Sequence, residues 1–460
     1  MKSNPIRILL VNPWIHDFAA YDFWAKPAGL LMLGAILRNL GISVDYIDCL
    51  NRFHPRARQT DKHARYGRGP YVKTPVPKPD GLSDVPRQYS RYGIPPAWFR
   101  EDIRRIPRPD AVLVTSVMTY WYPGVQETIR EIRAAWPHTP VFLGGIYASL
   151  CLDHAIRHSG ADQVFSGRGE TSLPIILKQL TGQDFSLDVH PDHLDSFPYP
   201  AYDLQHSIAY VPLLTSLGCP FSCDYCASSF LYPKRRRRSP ESVMEEILFW
   251  HTRFHVVDFV FYDDALLIDE ERHAIPLFEM IIRSGLNQTI RFHTPNAVHI
   301  REITPETAGL MYQAGFKTLR LGLETTAFAP DKRLDVKVSR NEFHQAMTWL
   351  KDVGFQSDEV GAYLLAGCPG QPLSDVEEAI RIVKESGITP VPAYYSPIPH
   401  TALWPSAVRS SRYPLEDDPI YTNNAILPCG LEPFSWETVR RLKGKCEPDS
   451  IRHAVFIDPD

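Results

Sequence analysis

Three cysteines within eight positions are the residues of this sequence whose type and spacing could do chemistry. Cys219, Cys223 and Cys226 lie in the segment LTSLGCPFSCDYCASS. Three closely spaced thiolates can bind three irons of a 4Fe-4S cluster, which leaves the fourth iron with an open coordination site for a chelating molecule. An electron-transfer ferredoxin would need a fourth cysteine. The spacing therefore favours a cluster that binds a small molecule.

A structural zinc ion is the alternative for the same cysteines. It would borrow a fourth ligand such as Cys368 or a histidine, whereas structural zinc sites usually combine two C-x2-C pairs. The sequence contains no second pair, because its other five cysteines are scattered. In this alternative the protein is a non-catalytic module that binds zinc and a partner.

Repeated strand and helix patterns surround the cysteines and would position them. Six strand-helix units can be counted over residues 205–399, with helix starts marked at Ser239 and Ser339. Six units predict a partial (βα)6 barrel. The cysteine loop follows the first barrel strand, where barrel folds place their chemistry. A C-terminal extension, 400–460, is expected to wrap the barrel mouth and to contain one helix over 435–442.

The N-terminal part predicts a Rossmann-like, doubly wound parallel sheet over residues 1–182. The strand IRILLVN, a helix and the strand ISVDYID form a βαβ unit, and the pattern resumes with DAVLVTSV and PVFLGGI. An Arg- and Pro-rich insertion over 51–109 interrupts the pattern and is long enough to cover a substrate. A linker over 183–204, where breakers are frequent, separates this domain from the barrel. The predicted fold class is therefore α/β with two domains.

Charge and hydropathy argue against several classes of partner. Lys and Arg number 49 against 53 Asp and Glu, a formal charge of −4 that gives no argument for nucleic acid. The basic run 234–238 directly precedes the helix start at Ser239, so nucleic-acid binding is not expected. The beginning, MKSNPIRILLVNP, favours a strand over a signal peptide. No later run approaches the roughly 20 apolar residues of a membrane span, so we expect a cytoplasmic protein without a membrane partner.

The cysteine motif resembles that of the radical S-adenosylmethionine (SAM) superfamily. The likeness rests on CxxxCxxC with an aromatic residue, Tyr225, before the last cysteine, on the first strand of a six-unit barrel. It implies that the open iron chelates SAM and that one electron cleaves SAM to a 5'-deoxyadenosyl radical. It also implies an electron donor such as flavodoxin or ferredoxin.

Later barrel strands resemble the cofactor-contact motifs of the same superfamily. The second strand ends in Asp263 and Asp264, where many members have a Gly-Gly-Glu sequence that binds the methionine amino group. The strand LRLGLETT resembles the Gly-x-Glu-Thr pattern, which makes Arg320 and Glu324 candidates to hold the carboxylate or ribose of SAM; a salt-bridged barrel interior is the alternative. Gly367, at the end of the fifth strand, would let adenine approach the backbone, although a turn explains the same glycine.

The first domain resembles the cobalamin-binding domain of cobalamin-dependent radical enzymes. There is no GxGxxG sequence, which argues against a dinucleotide. Ser116 follows the third strand and Gly144-Gly145 the fourth, like the small residues that make room for the cobalamin nucleotide tail. The Asp-x-His-x-x-Gly loop that supplies a cobalt ligand in many cobalamin proteins is absent, and His16 is interpreted as a surface histidine.

Together these resemblances imply a radical SAM enzyme with a 4Fe-4S cluster, SAM and cobalamin as cofactors. The reaction we predict is methylation of an unactivated carbon in a small-molecule or peptide substrate. A radical rearrangement, cyclisation or epimerisation without methyl transfer is the second hypothesis, because nothing in the sequence marks a methyl donor. The non-catalytic zinc module is the third.

Overall fold

The computed structural model describes residues 6–328, 338–432 and 435–446. A five-stranded sheet forms the centre of the first domain, with the strand order β10-β9-β8-β1-β4 and parallel pairing throughout. The order reverses beside β1, as in a doubly wound sheet, so this prediction is confirmed. The strands of the domain are β1 (Arg7–Asn12), β2 (Ile15–Asp17), β3 (Tyr21–Asp22), β4 (Ser43–Asp48), β5 (Gly69–Pro70), β6 (Lys73–Pro75), β7 (Ser90–Tyr92), β8 (Ala111–Val114), β9 (Val141–Leu143) and β10 (Gln163–Val164).

Helices cover both faces of this sheet, which explains why β1 is a continuous apolar run. Leu9 and Val11 of β1 pack into one buried cluster, and Ile8 and Leu10 pack into another on the opposite face. The helices of the domain are α1 (Ala28–Asn39), α2 (Pro96–Arg105), α3 (Tyr122–Ala135), α4 (Ile146–Leu150), α5 (Leu152–His158) and α6 (Gly169–Thr181).

The predicted insertion over 51–109 contains β5, β6, β7 and α2. Phe99 and Ile103 of α2 are buried in the same cluster as Leu9 and Val11. Helix α2 is therefore a helix of the doubly wound domain, not part of an insertion. The sequence did not reveal it, because PAWFREDIRR carries five charged residues and only a few apolar ones.

The second domain is an open parallel barrel, as predicted. Its six-stranded sheet has the order β11-β14-β15-β16-β17-β18, and every neighbouring pair is parallel. Capping boxes begin two of its helices, at Thr304 and at Ser339. The strands are β11 (Val211–Leu213), β12 (Ser216–Leu217), β13 (Arg236–Arg237), β14 (Asp258–Phe261), β15 (Arg291–His299), β16 (Phe316–Glu324), β17 (Val360–Ala366) and β18 (Thr389–Tyr394). The helices are α7 (Ser228–Leu231), α8 (Pro240–Phe254), α9 (Ala274–Arg283), α10 (Pro305–Ala314), α11 (Arg340–Asp352), α12 (Leu373–Glu385), α13 (Trp404–Ser410) and α14 (Trp436–Cys446).

Alternate residues of the barrel strands face the helices and the barrel interior. Leu319 and Leu321 of β16 belong to the buried cluster shared with the helices. Thr318 and Arg320 therefore point inward. Inside the barrel, the hydroxyl group of Thr318 lies 3.1 Å from Nδ1 of His293 on β15.

A loop of the first domain enters the open side of the barrel. The indole ring of Trp24 stacks on the imidazole of His293, with ring centroids 4.7 Å apart. The hydroxyl group of Tyr262 donates a hydrogen bond to the carbonyl oxygen of Trp24 and accepts one of 2.9 Å from the backbone amide of Lys26. The first domain thus supplies part of the barrel interior.

The C-terminal extension packs against both domains, and its helix α14 contacts α12 and β18 of the barrel. Asn423 donates a 2.8 Å hydrogen bond to the carboxyl group of Asp17, and Nη1 of Arg87 donates one of 2.8 Å to the carbonyl oxygen of Ala425. Helix α14 contains most of the helix predicted over 435–442 and continues to Cys446.

Carboxylates pair with three of the five basic residues of the run 234–238. Arg236 forms a 2.6 Å ion pair with Asp192, Arg237 pairs with Asp269, and Arg238 pairs with buried Glu246. The run therefore does not present a free basic surface. Among the described helices, none combines the length and the hydropathy of a membrane-spanning segment.

Candidate active site

The three cysteines lie on one loop directly after β11 and β12. Gly218 turns the chain into this loop with a φ of +80°, and a β-carbon there would come within 2.9 Å of the carbonyl oxygen of Tyr232. Cys223 is buried, Cys219 is half-buried and Cys226 is exposed. The loop therefore presents the thiols at the carboxyl end of the barrel, as predicted.

His299 is a neighbour of this loop that the sequence analysis missed. It ends β15, and its Nε2 lies 3.4 Å from the sulfur of Cys219. Phe221 of the loop packs edge-on against the same imidazole, with ring centroids 4.6 Å apart. The signal available in the sequence was the position of His299 at the carboxyl end of a barrel strand, where barrel enzymes place functional side chains.

The cysteine loop offers the donor set of a 4Fe-4S cluster. Nowhere in residues 6–328, 338–432 and 435–446 do three His, Cys, Asp or Glu side chains converge as the ligands of one metal ion would. A zinc ion requires that convergence, with its ligands about 2.0–2.3 Å away. In a 4Fe-4S cluster each cysteine binds a different iron, so the three sulfurs need not point at one centre. Three thiols on one loop match that donor set.

Asp263 and Asp264 lie beside the cysteine loop, but their carboxyl groups already have partners within the chain. Asp263 is buried and accepts hydrogen bonds of 2.6 Å from the hydroxyl groups of Thr215 and Ser216. Asp264 accepts a 2.6 Å bond from the hydroxyl group of Ser228, just after Cys226. Burial raises the pKa of both carboxyl groups. Asp263 thus anchors the start of the loop, and Asp264 its end.

The structure separates Arg320 from Glu324, although both face the barrel interior. Nη1 of Arg320 donates to the carbonyl oxygens of Leu319 and Glu359, at 3.2 and 3.5 Å, towards the amino end of β17. Glu324 ends β16 four residues later, about 13 Å further along the strand. A direct ion pair between the two is therefore not formed. Glu324 is the residue that reaches the end carrying the cysteines.

Glu324 has a strained backbone. Its φ is +61°, its side chain is buried, and the pairing of β16 with β17 shifts register between Gly322 and Glu324. A positive φ at a non-glycine residue costs of order 1–3 kcal/mol and is found mostly at functional sites. The strain is consistent with a role for Glu324 at the barrel mouth.

Gly367 and Tyr225 lie near the C-terminal extension. Gly367 has a φ of +86°, and a β-carbon there would come within 3.1 Å of Leu427. Tyr225 packs against a buried cluster that includes Cys368 and Tyr395. Burial raises the pKa of Cys368 to about 12, so this cysteine keeps its proton at neutral pH. Cys368 is thus a packing residue in this structure.

At the carboxyl edge of the first sheet, Ser116 and the pair Gly144-Gly145 come together. The hydroxyl group of Ser116 donates a 2.7 Å bond to the carbonyl oxygen of Gly144. Gly145 has a φ of +97°, and a β-carbon there would lie 2.2 Å from the carbonyl oxygen of Ser116, so only glycine fits. A β-carbon on Gly144 would meet nothing closer than 3.9 Å. The edge is therefore open at Gly144, which suits a bulky ligand in a doubly wound domain.

His16 differs from its prediction as a surface residue. It lies on β2, and its Nε2 is 2.6 Å from a carboxyl oxygen of Glu127. The same carboxyl group accepts a 2.8 Å bond from Arg91. His16 is thus a largely buried partner in a charged cluster.

A chain of contacts connects the cysteine loop with the glycine pair. The backbone amide of Leu403 donates a 2.8 Å bond to the carbonyl oxygen of Asp224 in the cysteine loop. The ring of Phe230, on α7, stacks on His400 with centroids 4.1 Å apart. His400 in turn lies 3.1 Å from the carbonyl oxygen of Leu150, at the end of α4, which starts directly after Gly145. The two candidate cofactor sites are therefore neighbours.

Comparisons with known proteins agree with this two-domain arrangement. The model of the radical SAM superfamily matches residues 213–383, and that of the B12 binding domain matches residues 88–177. An uncharacterized methyltransferase of Pyrococcus horikoshii is 26% identical in an alignment of 333 residues that covers 66% of this chain and 70% of that protein. The cytidylyl-2-hydroxyethylphosphonate methyltransferase of Streptomyces wedmorensis is 20% identical in an alignment of 453 residues that covers 83% of this chain and 78% of that protein.

A solved structure shows the same fold. It is the radical SAM methyltransferase TsrM from Kitasatospora setae with cobalamin and a [4Fe-4S] cluster bound. The TM-score is 0.63 at 15% identity, over 88% of this chain and 78% of that one. The likeness extends over both domains and supports the fold assignment.

Proposed function

We propose that this protein catalyses cobalamin-dependent methylation of an unactivated carbon. The chain belongs to the radical SAM enzymes and carries a B12-binding domain in front of its radical SAM domain. The observation that carries this proposal is the contact chain through His400. It makes the cysteine loop and the Gly144-Gly145 edge neighbours, as two cofactors that act on one substrate require. The methyltransferase names of the relatives support the same reaction.

The roles we assign to residues follow from their positions. Cys219, Cys223 and Cys226 would hold a 4Fe-4S cluster, and the open edge at Gly144 would receive cobalamin. When bound, the cluster supplies the electron that cleaves one SAM to methionine and a 5'-deoxyadenosyl radical, and cobalamin carries a methyl group taken from a second SAM. Glu324 lies at the barrel mouth, where it can accept hydrogen bonds from a ribose.

Other residues of the chain keep the reaction away from water. Trp24 closes the open side of the barrel, and its ring lies on His293 rather than in solvent. The extension residues around Leu427 cover the end of β17 at Gly367. Excluding water from a radical site prevents side reactions and strengthens the electrostatic contacts within it. We propose a small molecule as the substrate. The electron donor we propose is a protein such as flavodoxin or ferredoxin.

A product assay tests this proposal. Full-length protein, reconstituted anaerobically with iron and sulfide, is given hydroxocobalamin, SAM and dithionite, and 5'-deoxyadenosine and S-adenosylhomocysteine are quantified together. Both products are expected, and formation of S-adenosylhomocysteine should depend on cobalamin. Deoxyadenosine without cobalamin-dependent S-adenosylhomocysteine would contradict methylation and favour a rearrangement or cyclisation. If neither 5'-deoxyadenosine nor S-adenosylhomocysteine forms, the assignment as a radical SAM enzyme is contradicted.

Two cysteine variants control the assay. Cys223→Ala should lose both iron and deoxyadenosine formation, because a cluster with two cysteine ligands is not retained. Cys49→Ala is the matched control, since Cys49 is buried in the core of the first domain and burial raises the pKa of its thiol well above the usual value. It should keep iron and activity. Undiminished deoxyadenosine formation by Cys223→Ala would contradict the cluster assignment.

A further inference from the structure

We propose that an anionic group of the substrate, a phosphate, phosphonate or carboxylate, binds inside the barrel between Arg68 and Arg320. The inference rests on the proposed function, because it assigns the barrel interior to the substrate of that reaction. It gives the predicted insertion a role, since Arg68 comes from the first domain and Arg320 from β16. It also gives Arg320 a different partner from the nucleoside that its sequence position suggested.

The guanidinium group of Arg320 lies inside the barrel with only neutral partners. Its Nη1 donates to two backbone carbonyl oxygens, and the described chain offers no carboxylate to the rest of the group. Gly361 on β17 makes room for it, because a β-carbon there would lie 3.2 Å from Nη1 of Arg320. A side chain at position 361 would crowd the guanidinium group. The barrel is therefore shaped around this cation.

Arg68 approaches the same interior from the first domain. Its guanidinium group lies over the ring of Trp24, 4.6 Å from the centroid, and its Nε donates a 3.0 Å bond to the carbonyl oxygen of Arg65. The ring of Trp24 stacks on His293 of β15. Aromatic rings thus lie between Arg68 and the barrel wall. In residues 6–328, 338–432 and 435–446, no carboxylate pairs with Arg68.

The turn that presents Arg68 is strained. Arg65 and Tyr66 have φ values of +53° and +59°, and Gly67 follows with +82°. Three consecutive left-handed residues, two of them not glycine, are costly and persist only where the surroundings hold them. Gly67 is held against Tyr210, since a β-carbon there would come within 2.8 Å of that ring. The strain places Tyr66 and Arg68 against the barrel interior.

The neighbouring carboxylates are already neutralised. Asp22 accepts hydrogen bonds from Arg52 and from the hydroxyl group of Tyr210. Asp258 forms a 2.8 Å ion pair with Arg291 and accepts a 3.1 Å hydrogen bond from His293. Within residues 6–328, 338–432 and 435–446, no carboxylate forms an ion pair with Arg68 or Arg320, and Glu324 lies four residues further along β16.

Two half-buried guanidinium groups without a carboxylate partner in the described chain favour a negatively charged ligand. Burial lowers the pKa of both guanidinium groups. The charge of Arg68 lowers the pKa of Arg320 further, and the charge of Arg65 lowers that of Arg68. Burying a cation without a partner is costly, so proteins usually pair it. A bound anion would remove this penalty, and a dianionic phosphate or phosphonate matches both charges. A carboxylate would match one.

Anion binding to the full-length, reconstituted protein tests the inference. The melting temperature is measured at rising concentrations of inorganic phosphate, methylphosphonate or acetate, against chloride at equal ionic strength. Phosphate and methylphosphonate should raise it in a saturable way, and a stronger effect of acetate would assign a carboxylate instead. If none of the three anions raises the melting temperature more than chloride does, the inference is overturned.

Variants locate the binding site. Arg320→Gln and Arg68→Gln should each weaken the binding of phosphate at least tenfold, while the melting temperature without added anion stays equal or increases, because an uncompensated cation has been removed. Arg381→Gln is the control, since Arg381 is exposed and paired with Glu378 and Glu385. Phosphate binding that survives both barrel variants would overturn the inference.

This readout is independent of catalysis. Saturable phosphate binding in a protein that forms no 5'-deoxyadenosine would contradict the proposed function and keep the anion site. Formation of 5'-deoxyadenosine without any anion binding would contradict the anion site and keep the proposed function.

Discussion

The hydroxyl group of Thr215 donates a hydrogen bond of 2.6 Å to the carboxyl group of Asp263. Thr215 lies just after β11 and Asp263 just after β14, so the bond ties the first two barrel strands together directly below the cysteine loop. The backbone amide of Thr215 and the hydroxyl group of Ser216 bond to the same carboxyl group. Asp263 therefore fixes the point from which the loop departs.

Replacement of Asp263 by Ala should release this loop. Three buried donors would lose their acceptor, and each unsatisfied group costs about 1–3 kcal/mol. We expect a lower free energy of unfolding, measured with urea, and a lower iron content after reconstitution. Glu378→Gln is the control, because this exposed carboxylate pairs with Arg381 at the surface, where ion pairs contribute little to stability. Unchanged stability and iron content in Asp263→Ala would contradict the anchoring role.

The two glycines of the first domain predict opposite outcomes for the same substitution. Gly145→Ala should destabilise the domain, because its β-carbon would lie 2.2 Å from the carbonyl oxygen of Ser116 and its φ is +97°. Gly144→Ala should fold normally, because its β-carbon meets nothing closer than 3.9 Å. If cobalamin occupies this edge, Gly144→Ala should bind hydroxocobalamin at least tenfold more weakly than the wild type, although it folds normally. Absorbance titration and the melting temperature measure both effects, and wild-type affinity in Gly144→Ala would place cobalamin elsewhere.

The elements that the sequence predicted correctly are those whose signals are local. The capping box at Ser339 begins α11 as expected. The cysteine spacing is also local, so the position of the loop after the first barrel strand could be predicted. Parallel pairing then followed from the repeated strand-helix connection.

The direction of a charged side chain could not be predicted, because residue type does not determine its partner. Asp263 was a candidate to bind the methionine amino group, but its oxygens bond to Thr215 and Ser216. Arg320 was a candidate to bind SAM, but its guanidinium group points towards the amino end of β17. Contacts between distant segments, such as that of Trp24 with His293, leave no pattern in one sequence either.

Two buried histidines predict how stability depends on pH. Burial lowers the pKa of His293 and that of His273 to about 4, below the ordinary value of 6.5. The unfolded chain therefore binds more protons than the native protein between pH 6.5 and 4, and stability falls as the pH falls through this range. Each histidine should contribute a loss of about 1.4 kcal/mol at pH 5.5 relative to pH 7.5.

Urea unfolding at the two pH values measures this loss. In His293→Gln the pH-dependent part should be smaller by the share of one histidine, whatever the variant does to stability at pH 7.5. His344→Gln, at an exposed position of α11, should leave the difference unchanged. Wild-type pH dependence in His293→Gln would show that folding does not lower the pKa of His293.

His400 should couple the two halves of the reaction. Its ring stacks on Phe230 and donates to the carbonyl oxygen of Leu150, so it links the cysteine loop with the helix that follows Gly145. His400→Ala removes both contacts but none of the proposed cofactor ligands. We expect deoxyadenosine formation to persist while cobalamin-dependent S-adenosylhomocysteine falls several-fold, because the two cofactor sites lose their alignment. His344→Ala should keep the wild-type ratio of the two products. If His400→Ala also keeps that ratio, the contact is only structural and the alignment of the sites has another origin.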